Sequence, residues 1–244
     1  MNTTLELLKK RRSYREFDKS YQLPKKELQE ILDAARQAPT WMNGQFYSII
    51  VLTEDALRKQ LVEWNPSNPQ IAQSSVFLLF VADLNRTYRV SQVHQSDYLV
   101  EESIEPLLIA TTDAALALEN AIIAAESLSL GSVVVGSIRK HGPQISQLLD
   151  LPERTFPLFG LSIGRPITEM KVKPRLPEAA VVHYNRYQPY PYTLIDQYDQ
   201  VMNTFAESRE TKAWSKKFAD FFAITPAMIT DQLVVIQKIY SRES

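Results

Sequence analysis

"LLIATTDAALALENAIIAAESLSL", residues 107–130, is a segment of helical length that is apolar nearly all round. Ala, Leu and Ile fill most of its positions, leaving little polar face for water. Such a helix belongs inside a large core or a subunit interface. Gly131 follows at once and is expected to cap its C-terminus.

Working outward, the segments on either side alternate in type. "SVVVGS" (132–137) reads as a short strand, "GPQISQLLDL" as a short helix with Pro143 at its start, and 156–166 contains another strand. Upstream, "SVFLLFVAD" (75–83) is a continuous apolar run of strand length, as expected for a strand covered on both faces. "EDALRKQLVEW" reads as a helix and "FYSIIVLT" (46–53) as a β-branched, aromatic strand. A helix after Pro24 carries Leu28, Ile31, Leu32 and Ala35 at helical spacing and ends at Pro39. A first short helix covers 5–12. Beyond 166 come a Pro-rich loop to 192 and a charged helical tail. Interleaved helices and strands exclude the all-α and all-β classes. With no repeat and no low-complexity linker, 1–244 reads as one domain with a C-terminal helical excursion over about 193–244.

Composition removes several functions. A formal net charge of -1 argues against general nucleic-acid binding. The absence of cysteine excludes thiol catalysis and Cys-ligated metals. His94, His141 and His183 are not spaced as a metal motif, so no metal is expected. The N-terminus has no apolar signal core, and no apolar run reaches about 18 residues, the length of a membrane span. The chain reads as soluble and cytoplasmic. It holds six glycines, most of them between 131 and 164, and each is expected where φ > 0 or close backbone approach is required.

"RRSYREF" (11–17) places Arg11, Arg12 and Arg15 around Ser13 in a nearly neutral chain. Three readings stand side by side: cations offsetting a helix dipole, a nucleic-acid patch, or a phosphate grip built from guanidinium forks and a hydroxyl. "KVKPRLP" (171–177) offers two more cations, Lys173 and Arg175, about a rigid Pro174. "APTWMNGQ" (38–45) puts Thr40, Asn43 and Gln45 on a helix-to-strand loop. Such a loop either orients a polar ligand or is ordinary Asn-Gly turn chemistry.

Taken together, "RRSYREF", "APTWMNGQ", "AAESLSLGSVVVGSIR", "PLFGLSIGRP" and "KPRLPEAAVVHYNRY" resemble the nitroreductase family, the last two its NADPH-dependent flavin and nitro reductase branch. The resemblance runs in order from about Thr4 to Tyr187. It implies an α+β fold with a mainly antiparallel sheet flanked by helices. It also implies a homodimer with long buried interface helices and FMN bound between the subunits. Arg11, Ser13, Lys173 and Arg175 would hold the FMN phosphate, with Arg12 among the cofactor-binding residues. Arg15 would face the flavin N1 and O2 edge as counter-ion to the charge that reduction places there. Thr40 would touch the flavin. Asn68 stands where the branch usually has Gln at the pyrimidine edge. Val134, Val135, Gly136 and Ser137 match a strand end that passes the flavin, with Val134 and Ser137 departing from the branch's usual Tyr and Gly.

The implied activity is ping-pong transfer of hydride from NADPH or NADH through FMN to nitroaromatic, quinone or flavin acceptors. The chemistry lies on the cofactor, so no protein residue is assigned a catalytic proton. Arg209 and Lys212, in the shortened stretch "AESRETKAW", would recognise the 2′-phosphate of NADPH. The alternative is a flavin-binding or flavin-storage protein without reductase turnover.

Overall fold

A computed structural model describes residues 2–100, 103–205 and 213–224. The chain divides into two compact units, 171–231 and the remainder.

In the first unit, β1 (Tyr47–Leu52), β2 (Val76–Asp83), β3 (Gly131–Val135) and β4 (Thr155–Gly164) form one sheet in the order β1-β2-β4-β3. Every pairing in it is antiparallel. Central β2 is buried on both faces, as its apolar run implies. Val76, Leu78, Phe80 and Ala82 face α2 (Lys25–Arg36) and the long α6 (Glu105–Ser127). Phe77, Leu79 and Val81 face the opposite layer, where Leu61 of α3 (Asp55–Trp64), Ile71 of α4 (Gln70–Gln73) and Ile145 of α7 (Gly142–Leu148) pack. The alternation is the period of two of a pleated strand.

The β2–β4 register shifts between Phe80 and Val81, where β4 carries one extra residue beside Pro157. The bulge changes the parity of β4. Phe156 and Leu158 before it and Leu161 and Ile163 after it therefore reach the same core. At Gly160 a Cβ would stand 2.1 Å from the Phe77 ring, so close approach alone requires glycine there.

Helix α6 begins at Glu105 and ends at Ser127. Gly131 does not cap it. Ser129 takes the left-handed conformation, φ 61°, and the Leu130 amide returns to the Ala125 carbonyl at 3.0 Å. This is the Schellman arrangement with serine in the position that glycine usually takes. Gly131 instead opens β3. No described glycine has positive φ, so close approach is the half of the glycine expectation that holds.

One side of α6 is buried through Ala110, Ala114, Ala117, Ala121 and Ala125. Asp113, Glu119 and Glu126 interrupt the continuous apolar run of α6, yet the helix is apolar on average. In this 23-residue helix the most apolar window has a mean hydropathy of 1.5 and few charges, which meets the length and composition of a span. The helix lies against β2 and α2, and its Asp113 bonds to backbone in this unit.

Two shorter helices frame the sheet. The first, α1 (Thr3–Lys10), stops two residues short of its expected end and leaves Arg11 at its C-cap. The second, α5 (Asn85–Val93), follows β2 and was not anticipated from sequence. In the 171–231 unit, α8 (Thr193–Phe205) and α9 (Trp214–Ile224) pack together, with Tyr198 edge-on to Trp214.

Candidate functional site

The segment 11–17 leaves α1 extended and is fastened to the outer side of edge strand β3. The Tyr14 amide donates to the Ser132 carbonyl at 2.9 Å. The Tyr14 ring lies where a Cβ on Gly131 would stand, 2.8 Å from it. Further along, Phe17 is buried and bridges to Pro166. Arg11, Arg12, Ser13 and Arg15 are thus half-buried side chains on a pinned strip beside the start of β3.

The guanidiniums are committed differently. Arg12 donates from Nε to the Tyr14 hydroxyl at 2.6 Å, and its Nη2 lies 3.8 Å from Glu169. Arg11 acts on the Glu126 carboxyl, in the last turn of α6, through its charge. Burial pushes Glu126 up to about 7, with Arg11, Ser132 and Arg12 opposing and Glu119 assisting.

The other end of β3 turns out of the sheet. Val134 is 39% exposed between buried Val133 and Val135. Gly136 and Ser137 belong to a 3₁₀ segment, Gly136–His141, rather than to the strand expected to run to 137. Here the two departures from the branch pattern meet. Asn68 donates to the Ser137 hydroxyl at 3.1 Å, and buried Gln70 donates to the Asn68 side-chain oxygen at 3.0 Å. The shorter Asn is therefore fixed by a hydroxyl that glycine would not supply.

The Thr40 loop is built from strained backbone. Met42, Asn43 and Gln45 have φ of 48°, 57° and 52°, while Gly44 is right-handed. Asp113 holds the loop: its carboxylate, 2% exposed, accepts from the Trp41 amide at 3.0 Å and the Phe46 amide at 3.1 Å. Thr40 Oγ1 accepts from the Gln45 amide at 3.3 Å. An aspartate among the alanines of the buried face was the available signal, because Asp is almost never buried without partners.

In the 171–231 unit, Arg175 donates to the Lys173 carbonyl at 2.9 Å, and Lys173 lies 6.0 Å from the Phe205 ring centre. Arg209 and Lys212 lie outside the described residues. Among the described residues no group of His, Asp and Glu could hold a metal. An open groove of about 480 Å³ along β1 is lined by Gln29, Arg36, Gln45, Ser48 and Arg86, and so takes in Gln45 of the Thr40 loop but none of the residues assigned to the flavin.

The elements around β3 are thus a cationic strip at one end and a polar, glycine-bearing turn at the other. They are separated by about 10–15 Å at the usual strand rise. A family model described as "Nitroreductase family" matches residues 8–165, and one described as its C-terminal domain matches 173–238. The chain belongs to the nitroreductase family. Among nitroreductase relatives, it is 34% identical over 229 residues to the FMN reductase (NAD(P)H) of Bacillus subtilis, covering 91% of this chain and 92% of the relative. It is 36% identical over 220 residues to the oxygen-insensitive NADPH nitroreductase of Salmonella typhimurium, with 90% and 89% covered. A solved structure of the NADPH:FMN oxidoreductase from Vibrio harveyi, complexed with NAD⁺, superimposes with a TM-score of 0.84 at 30% identity over 94% of this chain and 96% of that one. These likenesses bear out the α+β nitroreductase fold.

Proposed function

We propose that this protein is an NAD(P)H-dependent FMN oxidoreductase of the nitroreductase and flavin reductase type. The observation that carries the reading is β3, with Arg11–Arg15 pinned beside one end by Tyr14 and Gly136 and the Asn68–Ser137 pair at the other. This layout suits an elongated ligand with an anionic terminus and a polar-edged ring. FMN held there would supply the redox chemistry that links a nicotinamide reductant to a nitroaromatic, quinone or flavin acceptor.

The chain's own groups bind and orient. Arg11 and Ser13 grip the phosphate, with Arg12 fastened beside them through Tyr14. Lys173 and Arg175 are assigned to the same anion. Arg15 supplies positive charge toward N1 and O2, where a fixed cation stabilises the electron-rich ring. Thr40, Asn68, Val134, Val135, Gly136 and Ser137 line the ring. Arg209 and Lys212 are assigned to the nicotinamide cofactor. No side chain is given the role of proton donor. The unit containing the sheet and the 171–231 unit are read as one working domain, in a cytoplasmic homodimer.

The storage alternative is not favoured, since the relatives are named for reductase activity. The test is optical. Purified protein should be yellow and release FMN on denaturation, and anaerobic NADPH or NADH should bleach it. A protein that holds flavin yet is bleached by neither nicotinamide would leave only the storage reading.

A further inference from the structure

At the end of β3, a relay of two side-chain amides ends on a hydroxyl. Gln70, 2% exposed, donates from Nε2 to Asn68 Oδ1 at 3.0 Å, and Asn68 Nδ2 donates to Ser137 Oγ at 3.1 Å. Each member is fixed by its own backbone. The Gln70 carbonyl accepts from buried Ser162 Oγ of β4 at 3.2 Å. The Asn68 amide donates to the Asn65 carbonyl at 2.9 Å, and the Asn68 carbonyl accepts from the Ile71 amide at 3.2 Å. Arg139 holds the turn that carries Ser137. Leu158 pairs neither with β2, whose register shifts past it, nor with β3, which stops at Val135 opposite Gly160. Its carbonyl accepts from Arg139 Nη1 instead, at 3.0 Å, and the guanidinium lies 5.6 Å from the Phe159 ring centre. A serine hydroxyl has one proton and two lone pairs. The Asn68 amide takes a lone pair and leaves the proton. Asn68 Oδ1 is already spent on Gln70, and among the described residues no group accepts from Ser137 Oγ.

Resting on the assignment of Gly136 and Ser137 to the flavin ring, we infer that the Ser137 hydroxyl donates a hydrogen bond to an acceptor atom on the ring's edge, aimed there by Gln70 through Asn68. The direction of the relay sets the sign of its effect. Both amides point a donor toward Ser137, so the hydroxyl presents a proton rather than a lone pair to the ligand. Reduction makes the ring's edge electron-rich, and a hydrogen bond to an electron-rich acceptor is worth more than one to a neutral acceptor. Ser137 therefore holds reduced FMN more tightly than oxidised FMN and raises the flavin's midpoint potential. The relay is in place before any ligand arrives, so no reorganisation is spent in aiming it. Gln70 acts only through its neighbours and is a positioning residue.

The experiment is dye-equilibrated reduction of the FMN-loaded protein at pH 7, with the affinity of the oxidised protein for FMN measured alongside. Ser137→Ala should lower the midpoint potential by about 30 mV, a tenfold loss of preference for reduced over oxidised flavin in a two-electron couple. A hydroxyl that only supports the turn would weaken both redox forms alike and leave the potential where it was. A hydroxyl that accepts from the ring would let the potential rise on substitution. Either result overturns the inference. Asn68→Asp tests the relay. A carboxylate offers no donor, so the Ser137 proton turns inward to it and is lost to the flavin. The added charge also lowers the potential, and the same substitution in the Ser137→Ala background measures that part alone. A larger fall with Ser137 present is expected, and equal falls in the two backgrounds overturn the aiming by Asn68. A protein that binds no FMN overturns the functional reading itself, and the inference with it.

Discussion

Arg11 and Arg12 are adjacent in sequence and differ in their engagements. Arg12 spends Nε on the Tyr14 hydroxyl and reaches toward exposed Glu169, so its share in holding an anion is partly structural. Arg11 stands at the C-cap of α1, after Lys9 and Lys10, which already place cations in the last turn. If Arg11 only offset the helix dipole, Arg11→Ala would cost at most about 1 kcal/mol of stability and leave flavin affinity alone. On the phosphate reading, Arg11→Ala weakens FMN by about ten- to a hundredfold, the worth of a charged hydrogen bond, and leaves riboflavin unchanged. Arg12→Ala should weaken FMN less, with Tyr14 loosened. Fluorescence titration of both flavins against the parent and both variants measures this. Equal FMN affinity across the three would return the cluster to an ordinary helix end. The sequence showed that cations gather here, but not which one Tyr14 had already taken. That depends on Gly131, more than a hundred residues away, leaving room for a ring.

At the scale of elements, α6 does two jobs, and its apolar pattern announced only one. The alanines at 110, 114, 117, 121 and 125 build the core face, and that was legible in their spacing. The polar job belongs to Asp113 and was not, because its partners are backbone amides about seventy residues upstream. Those two bonds hold a loop with three non-glycine residues in left-handed backbone, each of which costs energy that the loop alone does not recover. Asp113→Ala should therefore destabilise the fold by about 2–4 kcal/mol, from the loss of two charged hydrogen bonds to part-buried loop amides. It should also change the emission of Trp41, whose amide it binds. Chemical denaturation followed separately through far-ultraviolet circular dichroism and tryptophan emission would resolve both effects. An unchanged midpoint would mean that the loop keeps its shape without Asp113. Other boundaries slipped for local reasons. Helix α6 closed on Ser129 because a Schellman turn accepts any residue that tolerates φ near 60°, and β3 ended at Val135 because Gly136 opens a 3₁₀ turn in which Ser137 meets Asn68. Helix α5 was missed because "NRTYRVSQV" has little apolar periodicity to read.

At the scale of the whole molecule, a helix apolar nearly all round needs a second covering surface. The chain itself covers about one side of α6. The residues that stay exposed follow one helical stripe, Leu108, Thr112, Leu116 and Glu119, with Leu108 at 53% and Leu116 at 40% exposure. Helix α1, which packs on α6, exposes Leu5 and Leu8 as well. Large aliphatic side chains in one region suit an interface better than water, so the homodimer reading makes a sharp demand on one position. Leu116→Glu introduces a charge at the centre of that stripe without touching the core alanines beneath. In a dimer joined through α6, the two-fold axis brings the new charge close to its own copy or buries it against leucine, and either is costly. Sedimentation should then show the 27.9 kDa chain shifting from dimer toward monomer. FMN affinity should fall in parallel if the flavin is held between subunits, while circular dichroism stays that of the parent. A variant that remains dimeric and fully flavinated would place the interface on another surface of the molecule and leave this stripe merely exposed.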